Sequence, residues 1–257
     1  MEISDKVALV TGGASGIGRA SAARLRAEGA RVIIADIDRA LGAACAAQLG
    51  VHFEPLDVSD ASAWDALTRA ICDAHGGLDI VHLNAGLLTP RSGQKGAILG
   101  GFDLGTMGDD DYRAVTSVNI DGVVFGARAA VRAMAGRGGA IVATASVAAL
   151  LPFANDPIYA MTKHAVLGLV RSLGPALEPQ RITINAICPA IVRTAIAETA
   201  SFDTLKELGV GVMDPSQIAE AVVQAISSGA TGQALVCVPN HAPQIQSFPE
   251  IDITGAS

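Results

Sequence analysis

The feature that most constrains the fold is a regular alternation of short β-branched runs with longer Ala- and Leu-rich stretches. The runs lie at 6–11, 31–36, 52–56, 80–84, 139–145, 183–188 and 233–238, and the helical patterns near 16–28, 39–49, 60–75, 109–134, 157–178 and 215–228. Such alternation indicates βαβ units with right-handed crossovers. The sequence therefore predicts an α/β protein with a doubly wound, seven-stranded parallel sheet and helices on both faces.

Three segments interrupt this rhythm. They are 87–108, 189–214 and 239–257, the last containing three prolines and expected to form an irregular C-terminal tail. No Pro/Gly/Ser-rich linker and no internal repeat divides the chain, so we predict a single domain over residues 1–257. Long loops in compact domains are often functional, and ligands of open α/β sheets bind beyond the carboxyl ends of the strands. We expect the first two segments to lie there.

Composition and charge exclude several classes of function. Half of the residues are hydrophobic and only 17% are charged, which is unlike a disordered chain. The formal net charge is −7 without a basic cluster, which argues against nucleic acid or an anionic membrane surface as a partner. No charge-free apolar segment of about 20 residues occurs, so no membrane span is expected.

The cysteines predict neither a disulfide framework nor a metal site. Cys45, Cys72, Cys188 and Cys237 are widely spaced, without a C-x-x-C pair or a histidine at ligand spacing. The first residues lead directly into a strand-like run and do not resemble a signal peptide. We expect a cytoplasmic protein with reduced thiols.

A glycine-rich turn follows the first predicted strand and opens the first predicted helix. It contains Gly12, Ser15, Gly16, Ile17 and Gly18. Glycines permit a tight turn and close backbone approach, and a helix N-terminus favours a pyrophosphate. Ordinary turns show bare glycine patterns too, but here strand, helix and an acidic residue about 20 positions on, Asp36, all stand in the required order. The pattern predicts a dinucleotide-binding Rossmann fold.

Asp36 favours NAD over NADP. A carboxylate at the end of the second strand can accept hydrogen bonds from ribose hydroxyls and would repel a ribose phosphate. Ile37 and Ala14 stand where an NADP enzyme often has a basic residue. Asp57, which precedes Val58 after the third strand, is expected to accept from the adenine amino group. Its alternative role is to cap the next helix.

Two further strand ends supply residues to the predicted cleft. Asn84, Ala85 and Gly86 end the fourth strand, and the small residues there would let a cofactor lie against the backbone. Ser146 follows the fifth strand. Its hydroxyl would face the ligand crevice, where it can hydrogen-bond a carbonyl oxygen.

Tyr159 and Lys163 lie four residues apart in a predicted helix and therefore on one face. A nearby ammonium favours phenolate, so we expect the pKa of Tyr159 to fall. A tyrosine tuned in this way can exchange a proton with an alcohol or ketone oxygen. Such pairs also occur by chance, and the assignment depends on the residues around them. Asn119, inside an apolar helix, is either a satisfied buried amide or the holder of a water that links Lys163 to solvent.

Taken together, these motifs resemble the short-chain dehydrogenases/reductases over roughly residues 5–240. The motifs are Thr11-Gly12 with Gly16 and Gly18, Asp57-Val58, Asn84-Ala85-Gly86, Asn119, Ser146, and Tyr159 with Lys163, in the family's order and spacing. The resemblance implies that Tyr159 is the catalytic acid/base, that Ser146 orients and polarises the substrate oxygen, that Lys163 lowers the tyrosine pKa and binds the nicotinamide ribose, and that Asn119 completes a proton relay.

The resemblance also implies the contacts to NAD. They are Gly12, Ser15, Gly16, Ile17, Gly18, Asp36, Asp57, Val58, Asn84, Ala85, Gly86, Tyr159, Lys163, Pro189, Val192 and Thr194. Two departures from the family pattern stand out. Ala190 follows Pro189 where the family usually has glycine, and 236–241 lacks the Val-Asp-Gly-Gly ending of many tetrameric members. We expect a homo-oligomer, a dimer or a tetramer, without the usual tetramer contacts.

The predicted function is NAD-dependent interconversion of a secondary alcohol and a ketone on a hydrophobic substrate. Short strings at 159–164, 185–189 and 213–215 are similar to the NAD-linked hydroxyprostaglandin dehydrogenase branch. We hypothesise that 87–108 and 189–214 form a substrate lid; a surface excursion or subunit contact is the alternative for 87–108. The rival functions are a 3-oxoacyl-thioester reductase and a non-enzymatic NAD-binding sensor.

Overall fold

A computed structural model describes residues 1–91, 96–196 and 199–249, and within these ranges the side chains of 199–201 are not described. An eight-stranded sheet forms the centre of the molecule, in the order β3-β2-β1-β4-β5-β6-β7-β8. Its strands are β1 (Val7–Thr11), β2 (Arg31–Asp36), β3 (His52–Pro55), β4 (Ile80–Leu83), β5 (Gly139–Thr144), β6 (Ile182–Pro189), β7 (Ala234–Cys237) and β8 (Gln244–Ile245).

The first seven strands are parallel and agree with the predicted runs to within one residue at each end. The eighth strand corrects the prediction of a seven-stranded sheet with an irregular tail. Gln244 and Ile245 pair antiparallel with Val236 and Leu235 of β7. A two-residue strand directly after Pro243 is too short to show the alternation by which strands are recognised. Residues 250–257 of the predicted tail lie outside the described residues.

Helices cover both faces of the sheet. They are α1 (Gly16–Ala27), α2 (Arg39–Leu49), α3 (Ala61–His75), α4 (Asp109–Thr116), α5 (Gly122–Met134), α6 (Pro157–Leu177), α7 (Thr199–Glu207) and α8 (Pro215–Ser227). The predicted 109–134 helix is interrupted by a π-helical turn at Ser117–Asp121. Helix α7 lies in the segment 189–214, which the sequence predicts to be irregular to weakly helical.

Alternate residues of each central strand fill two hydrophobic layers, as the period of two in a strand requires. Leu9, Val81 and Ile141 pack with α3, α5 and α6 on one face. Val10, Ile80 and Val142 pack with α1, α2 and α8 on the other. Because β1, β4 and β5 are buried along their whole length, their sequences read as continuous apolar runs.

The helical run from Asp109 to Met134 is long and apolar enough to cross a membrane by length and composition alone. In the fold, however, α5 packs against α3, and Val123, Ala127 and Met134 are buried in the core. The protein itself thus buries 44% of the apolar stretch in this run.

The topology places a ligand crevice at the carboxyl ends of β1 and β4. From β1 the chain moves outward to β2 and β3, and then returns to build β4 to β7 on the other side. Loops on either side of such a switch point diverge and leave a cleft between them. The turn after β1 and the residues after β4, β5 and β6 all meet there.

Candidate active site

A cleft of about 660 Å³ opens at this switch point. Sixteen of the eighteen predicted site residues line it: Gly12, Ser15, Gly16, Ile17, Asp36, Asp57, Val58, Asn84, Ala85, Gly86, Ser146, Tyr159, Lys163, Pro189, Val192 and Thr194. The two exceptions are Gly18 and Asn119, which lie behind the cleft wall. One continuous cavity thus joins the predicted dinucleotide end to the predicted chemical end.

The turn after β1 leaves backbone donors free for an anion. Helix α1 begins at Gly16, and the N-cap residue Ser15 makes no side-chain bond to the first turn. The first N–H groups of a helix have no intrahelical partner and bind phosphate readily. Gly18 is required for a steric reason, since a Cβ there would lie 2.1 Å from the Gly12 carbonyl oxygen. The donors and the shape of the turn fit a pyrophosphate.

Asp36 stands at the ribose end of the cleft. Its carboxylate accepts hydrogen bonds from the backbone N–H groups of Ala14 at 3.1 Å and Asp38 at 3.1 Å. These bonds orient the carboxylate and leave lone pairs free for ribose hydroxyls. Asp57 accepts from both the N–H and the hydroxyl of Ser59, whereas Asp60 caps α3. Asp57 is therefore not the cap.

A polar network under the cofactor end joins three strands. The Asn84 amide donates to the Thr11 carbonyl at 3.0 Å, and the Thr144 hydroxyl donates to Asn84 Oδ1 at 3.1 Å. His82, fully buried on β4, lies with Nε2 2.9 Å from Thr144 Oγ1. Burial lowers the pKa of His82 to about 3, and neutral imidazole is its folded form. The Thr144 backbone carbonyl accepts from Lys163 Nζ at 2.9 Å.

Tyr159 and Lys163 lie on one face of α6, as their spacing predicts. Lys163 Nζ is 5.5 Å from the centroid of the Tyr159 ring. Helix α6 begins at Pro157, and Asp156 caps it by accepting from the Tyr159 N–H at 2.9 Å. Lys163 is buried, with only 3% of its surface exposed. The helix therefore presents a phenol and an ammonium to the cleft from a capped, rigid end.

The expected fall in the pKa of Tyr159 is wrong for the protein alone. Burial raises the pKa of Tyr159 to about 12, and its hydrogen bond with Ser146 only partly offsets the effect. Burial lowers the pKa of Lys163 to about 8. The spacing of Tyr159 and Lys163 brings the ammonium near the phenol, but desolvation disfavours both charged forms. In the structure the ammonium is also directed at the Thr144 carbonyl.

Ser146 and Cys188 complete the chemical end. Ser146 follows β5 and accepts from the Ala148 N–H at 3.1 Å, which holds its side chain beside Tyr159. Cys188 of β6 is fully buried next to them, and burial raises the pKa of its thiol to about 12. The thiol is therefore neutral at ordinary pH. Pro189 follows, and Ala190 donates to the Cys237 carbonyl at 2.8 Å without a positive φ. Alanine thus fits where glycine is usual.

Asn119 lies in the π-helical turn and is fully buried. Its amide donates to the Leu87 carbonyl at 2.9 Å and to Thr162 Oγ1 at 3.0 Å, while its oxygen accepts from the Leu87 N–H at 2.9 Å. Gly86 separates this oxygen from Lys163 Nζ; a Cβ there would lie 3.2 and 3.3 Å from the two atoms. Asn119 is a satisfied amide, and a water between it and Lys163 stays a prediction.

The other end of the cleft is apolar. Its lining includes Leu88, Pro90, Ile98, Val147, Phe153, Ile191 and Ile196. Leu88 also packs with Phe202 and Leu205 of α7 in a small separate cluster beside Tyr159. Among the described lining residues, the charged ones are Asp36, Asp57 and Lys163, all toward the cofactor. Residues 92–95 and 197–198 of the two predicted substrate segments lie outside the described residues, and the lid stays a prediction.

The structure adds buried polar residues next to the site that the sequence does not single out, among them His82, Thr144, Thr89 and Asp156. A histidine within an otherwise apolar strand was a visible signal, because a buried polar group needs a partner. Asp156 directly before Pro157 was another, since Asp at the N-cap and Pro at the first position start a helix. Nothing local in the sequence distinguishes the two threonines.

Comparison with known proteins agrees with this geometry. Residues 6–204 match the sequence profile of the family described as short chain dehydrogenase. The human 15-hydroxyprostaglandin dehydrogenase [NAD(+)] is 32% identical over 262 residues, covering 92% of this chain and 91% of that protein. A 3beta-hydroxysteroid dehydrogenase from Mediterraneibacter gnavus is 35% identical over 204 residues, covering 77% of this chain and 70% of that protein.

A solved structure supports the same relationship. The 3-ketoacyl-(acyl-carrier-protein) reductase from Brucella melitensis, complexed with NADH, superposes with a TM-score of 0.82 at 26% identity. The match covers 93% of this chain and 99% of that one. The family profile, the full-length relatives and the shared fold lead to one conclusion. This chain belongs to the short-chain dehydrogenase/reductase family.

Proposed function

We propose that this protein is an NAD-dependent oxidoreductase that interconverts a secondary alcohol and a ketone on an uncharged, hydrophobic substrate. One observation carries the proposal: Tyr159, Ser146 and Lys163 meet where the dinucleotide end of a single cleft joins an apolar end. Family membership supports the general activity of an alcohol/ketone oxidoreductase. The substrate and the roles of the three residues are part of the proposal.

The cofactor is NAD. Asp36 offers a carboxylate to the ribose hydroxyls, and neither Ile37 nor Ala14 provides a cation for a ribose phosphate. The turn from Gly12 to Gly18 would hold the pyrophosphate through backbone N–H groups, and Lys163 would bind the nicotinamide ribose. Bound NAD supplies the hydride acceptor at nicotinamide C4, or the donor when reduced.

The protein handles the proton. In the reductive direction the Tyr159 hydroxyl donates its proton to the carbonyl oxygen as that oxygen becomes an alcohol. In the oxidative direction Tyr159 phenolate accepts the hydroxyl proton. Ser146 donates a hydrogen bond to the same oxygen and stabilises its developing negative charge, an effect worth about 3 kcal/mol for one well-placed donor.

Because the pKa of Tyr159 is high in the protein alone, oxidation requires a nearby positive charge that lowers it. Burial holds the phenol protonated, which suits the reductive direction. Oxidation requires phenolate, and a positive charge beside the phenol lowers its pKa. Lys163, whose pKa burial lowers to about 8, would supply such a charge from the same helix face below that pH, and an oxidised nicotinamide ring would supply another. We therefore expect oxidation to speed up with rising pH.

The substrate is neutral and apolar around its reacting oxygen. The residues that surround the far end of the cleft are aliphatic or aromatic, and no described residue there could pair with a carboxylate or phosphate. Ser146 and Tyr159 are the hydrogen-bonding groups available to a single oxygen. This arrangement favours a lipophilic secondary alcohol over a sugar or a charged thioester.

The test is a panel of secondary alcohols of increasing chain length, incubated with NAD or NADP while NADH absorbance is followed. We expect NAD-dependent turnover whose kcat/KM rises with apolar surface, by about fifteenfold for each two added methylenes that are buried. Turnover only with 3-oxoacyl thioesters would replace the proposal by the reductase alternative. NADH binding without turnover of any alcohol or ketone would indicate a sensor.

We further propose a cytoplasmic homo-oligomer, a dimer or a tetramer. The four cysteines are unpaired, which suits a reducing compartment. Val124 of α5 and Met161 of α6 are large apolar side chains left exposed on the single chain. Light scattering tests the oligomer, and a monomer at micromolar concentration would contradict it.

A further inference from the structure

A buried carboxylate at the start of α6 bonds to two separate parts of the active site. Asp156 is fully buried. One of its oxygens accepts from the Thr89 hydroxyl at 2.6 Å and from the Tyr159 N–H at 2.9 Å. The other accepts from the Thr89 N–H at 2.8 Å. Three bonds therefore hold a charge that would be strongly disfavoured if it were buried without partners.

These bonds connect the apolar end of the cleft to helix α6. Thr89 lies between Leu88 and Pro90, both of which line the apolar end of the cleft. Asp156 itself lies behind the wall and does not line the cavity. A second tie runs alongside the first: Arg91 donates to the Asn155 carbonyl at 2.8 Å, and the Asn155 amide donates to the Ile98 carbonyl at 3.0 Å.

The same carboxylate also acts on Tyr159 through its charge. The groups around the phenol are Ser146 at the end of β5, Lys163 of α6, Cys188 of β6 and Asp156. The negative charge of Asp156 raises the pKa of Tyr159, in the same direction as burial, whereas the bond with Ser146 lowers it. The Cys188 thiol, with its pKa raised to about 12, carries no charge at working pH.

We infer that Asp156 is a positioning residue. It fixes residues 88–90, which form part of the apolar cleft wall, against helix α6, and it thereby couples the fit of the substrate to proton transfer by Tyr159. This inference rests on the proposed function for its kinetic part. Its electrostatic part concerns Tyr159 alone and does not need a substrate.

Two substitutions test the positioning effect and the electrostatic effect of Asp156 separately. Asp156→Ser keeps an N-cap for α6, because serine caps as well as aspartate, but removes both the charge and the bonds to Thr89. Thr89→Val removes only the hydroxyl bond and keeps the shape and the carboxylate. Asp60→Ser is the matched control, since Asp60 caps α3 in the same way but is not part of the cleft lining. Circular dichroism and the fluorescence of the single tryptophan check that each variant folds.

The kinetic readout is the split between KM and kcat for a hydrophobic alcohol. We expect both Asp156→Ser and Thr89→Val to raise KM about tenfold, the effect of losing one charge-assisted hydrogen bond, with a smaller change in kcat. In Asp156→Ser the alkaline rise of kcat/KM for oxidation should also move to lower pH, by about half a unit or more. Thr89→Val should leave it in place, and Asp60→Ser should change neither quantity.

The substrate-free readout is phenolate absorbance. The chain has two tyrosines, so in a Tyr112→Phe background Tyr159 is the single reporter. With NAD bound, Asp156→Ser should shift its phenolate titration to lower pH and Thr89→Val should not. Failure of the wild type to oxidise any alcohol would contradict the proposed function alone. An unshifted titration together with an unchanged KM, or the same changes in Asp60→Ser, would overturn the role of Asp156.

Discussion

The cofactor end of the cleft is built mainly from backbone, whereas the substrate end is built mainly from side chains. At the cofactor end, free N–H groups of the turn and the close approach of Gly18 to the Gly12 carbonyl define the shape. At the substrate end, the side chains of Leu88, Phe202 and Leu205 form a small apolar cluster. A site formed by closely packed backbone does not tolerate an added side-chain atom, whereas a site formed by apolar side chains tolerates apolar residues of similar volume.

This difference separates what the two ends of the cleft require of the sequence. The cofactor end depends on backbone geometry, which many sequences share. The substrate end depends on which apolar side chains happen to fill two loops. The proposed catalytic residues Ser146, Tyr159 and Lys163 stand between the two, after the end of β5 and in the first turns of α6.

The largest effect is expected at the boundary between the two ends. Tyr159→Phe removes the proton donor but keeps the ring, so turnover should fall by about 10²- to 10⁴-fold while NADH still binds. Stopped-flow turnover and NADH fluorescence titration measure the two quantities. Turnover within a factor of ten of wild type would remove Tyr159 from the chemistry.

A single methyl group at the cofactor end should have the next largest effect. Gly18→Ala places a Cβ against the Gly12 carbonyl oxygen at 2.1 Å, so the turn must open and NAD affinity should fall about 100-fold. Gly168→Ala in α6 is the control, because no atom lies within 4 Å of its added Cβ. The control should gain about 0.5 to 1 kcal/mol of stability. Normal NAD affinity in Gly18→Ala would contradict a backbone-defined site.

Loss of one side chain at the same end should matter less. Asp36→Ala removes the acceptor for the ribose hydroxyls, and we expect the Kd for NAD to rise about tenfold. The double variant Asp36→Ala with Ile37→Arg should bind NADP better than Asp36→Ala does, because the arginine pairs with a phosphate. Calorimetric titration with both dinucleotides measures this. Unchanged preference in both variants would show that Asp36 does not select the cofactor.

The smallest effect is expected for the buried polar network that contains His82, and it concerns the pH dependence of stability. The pKa of His82 is lowered to about 3 in the fold from 6.5 when exposed, so between these values the unfolded chain binds a proton that the folded chain does not. Stability from this site is complete above 6.5 and is lost as pH falls. His82→Leu should therefore move the midpoint of acid unfolding down by about half a pH unit. A midpoint unchanged or moved upward would contradict neutral burial.

Features that depend on local sequence could be predicted, whereas features that depend on tertiary contacts could not. The seven parallel strands and the glycine turn were predictable for local reasons. Buried strands are continuously apolar, Gly12 and Gly16 adopt positive φ, and Gly18 packs against the Gly12 carbonyl. Strand β8 was not predictable, since pairing of Gln244 with Val236 is decided by tertiary structure. The raised pKa of Tyr159 was not predictable either, since desolvation depends on residues distant in sequence. Thr89 meets Asp156 across 67 positions, and no local pattern reports that.

The most direct test of the central claim follows the hydride. Wild-type protein and Tyr159→Phe are each loaded with NADH deuterated at nicotinamide C4 and mixed with a neutral hydrophobic ketone, and the product alcohol is analysed by mass spectrometry. We predict one deuterium on the carbinol carbon with the wild type and essentially none with Tyr159→Phe, although both bind NADH. Equal transfer by the two proteins, or no transfer by the wild type to any such ketone, would contradict the account.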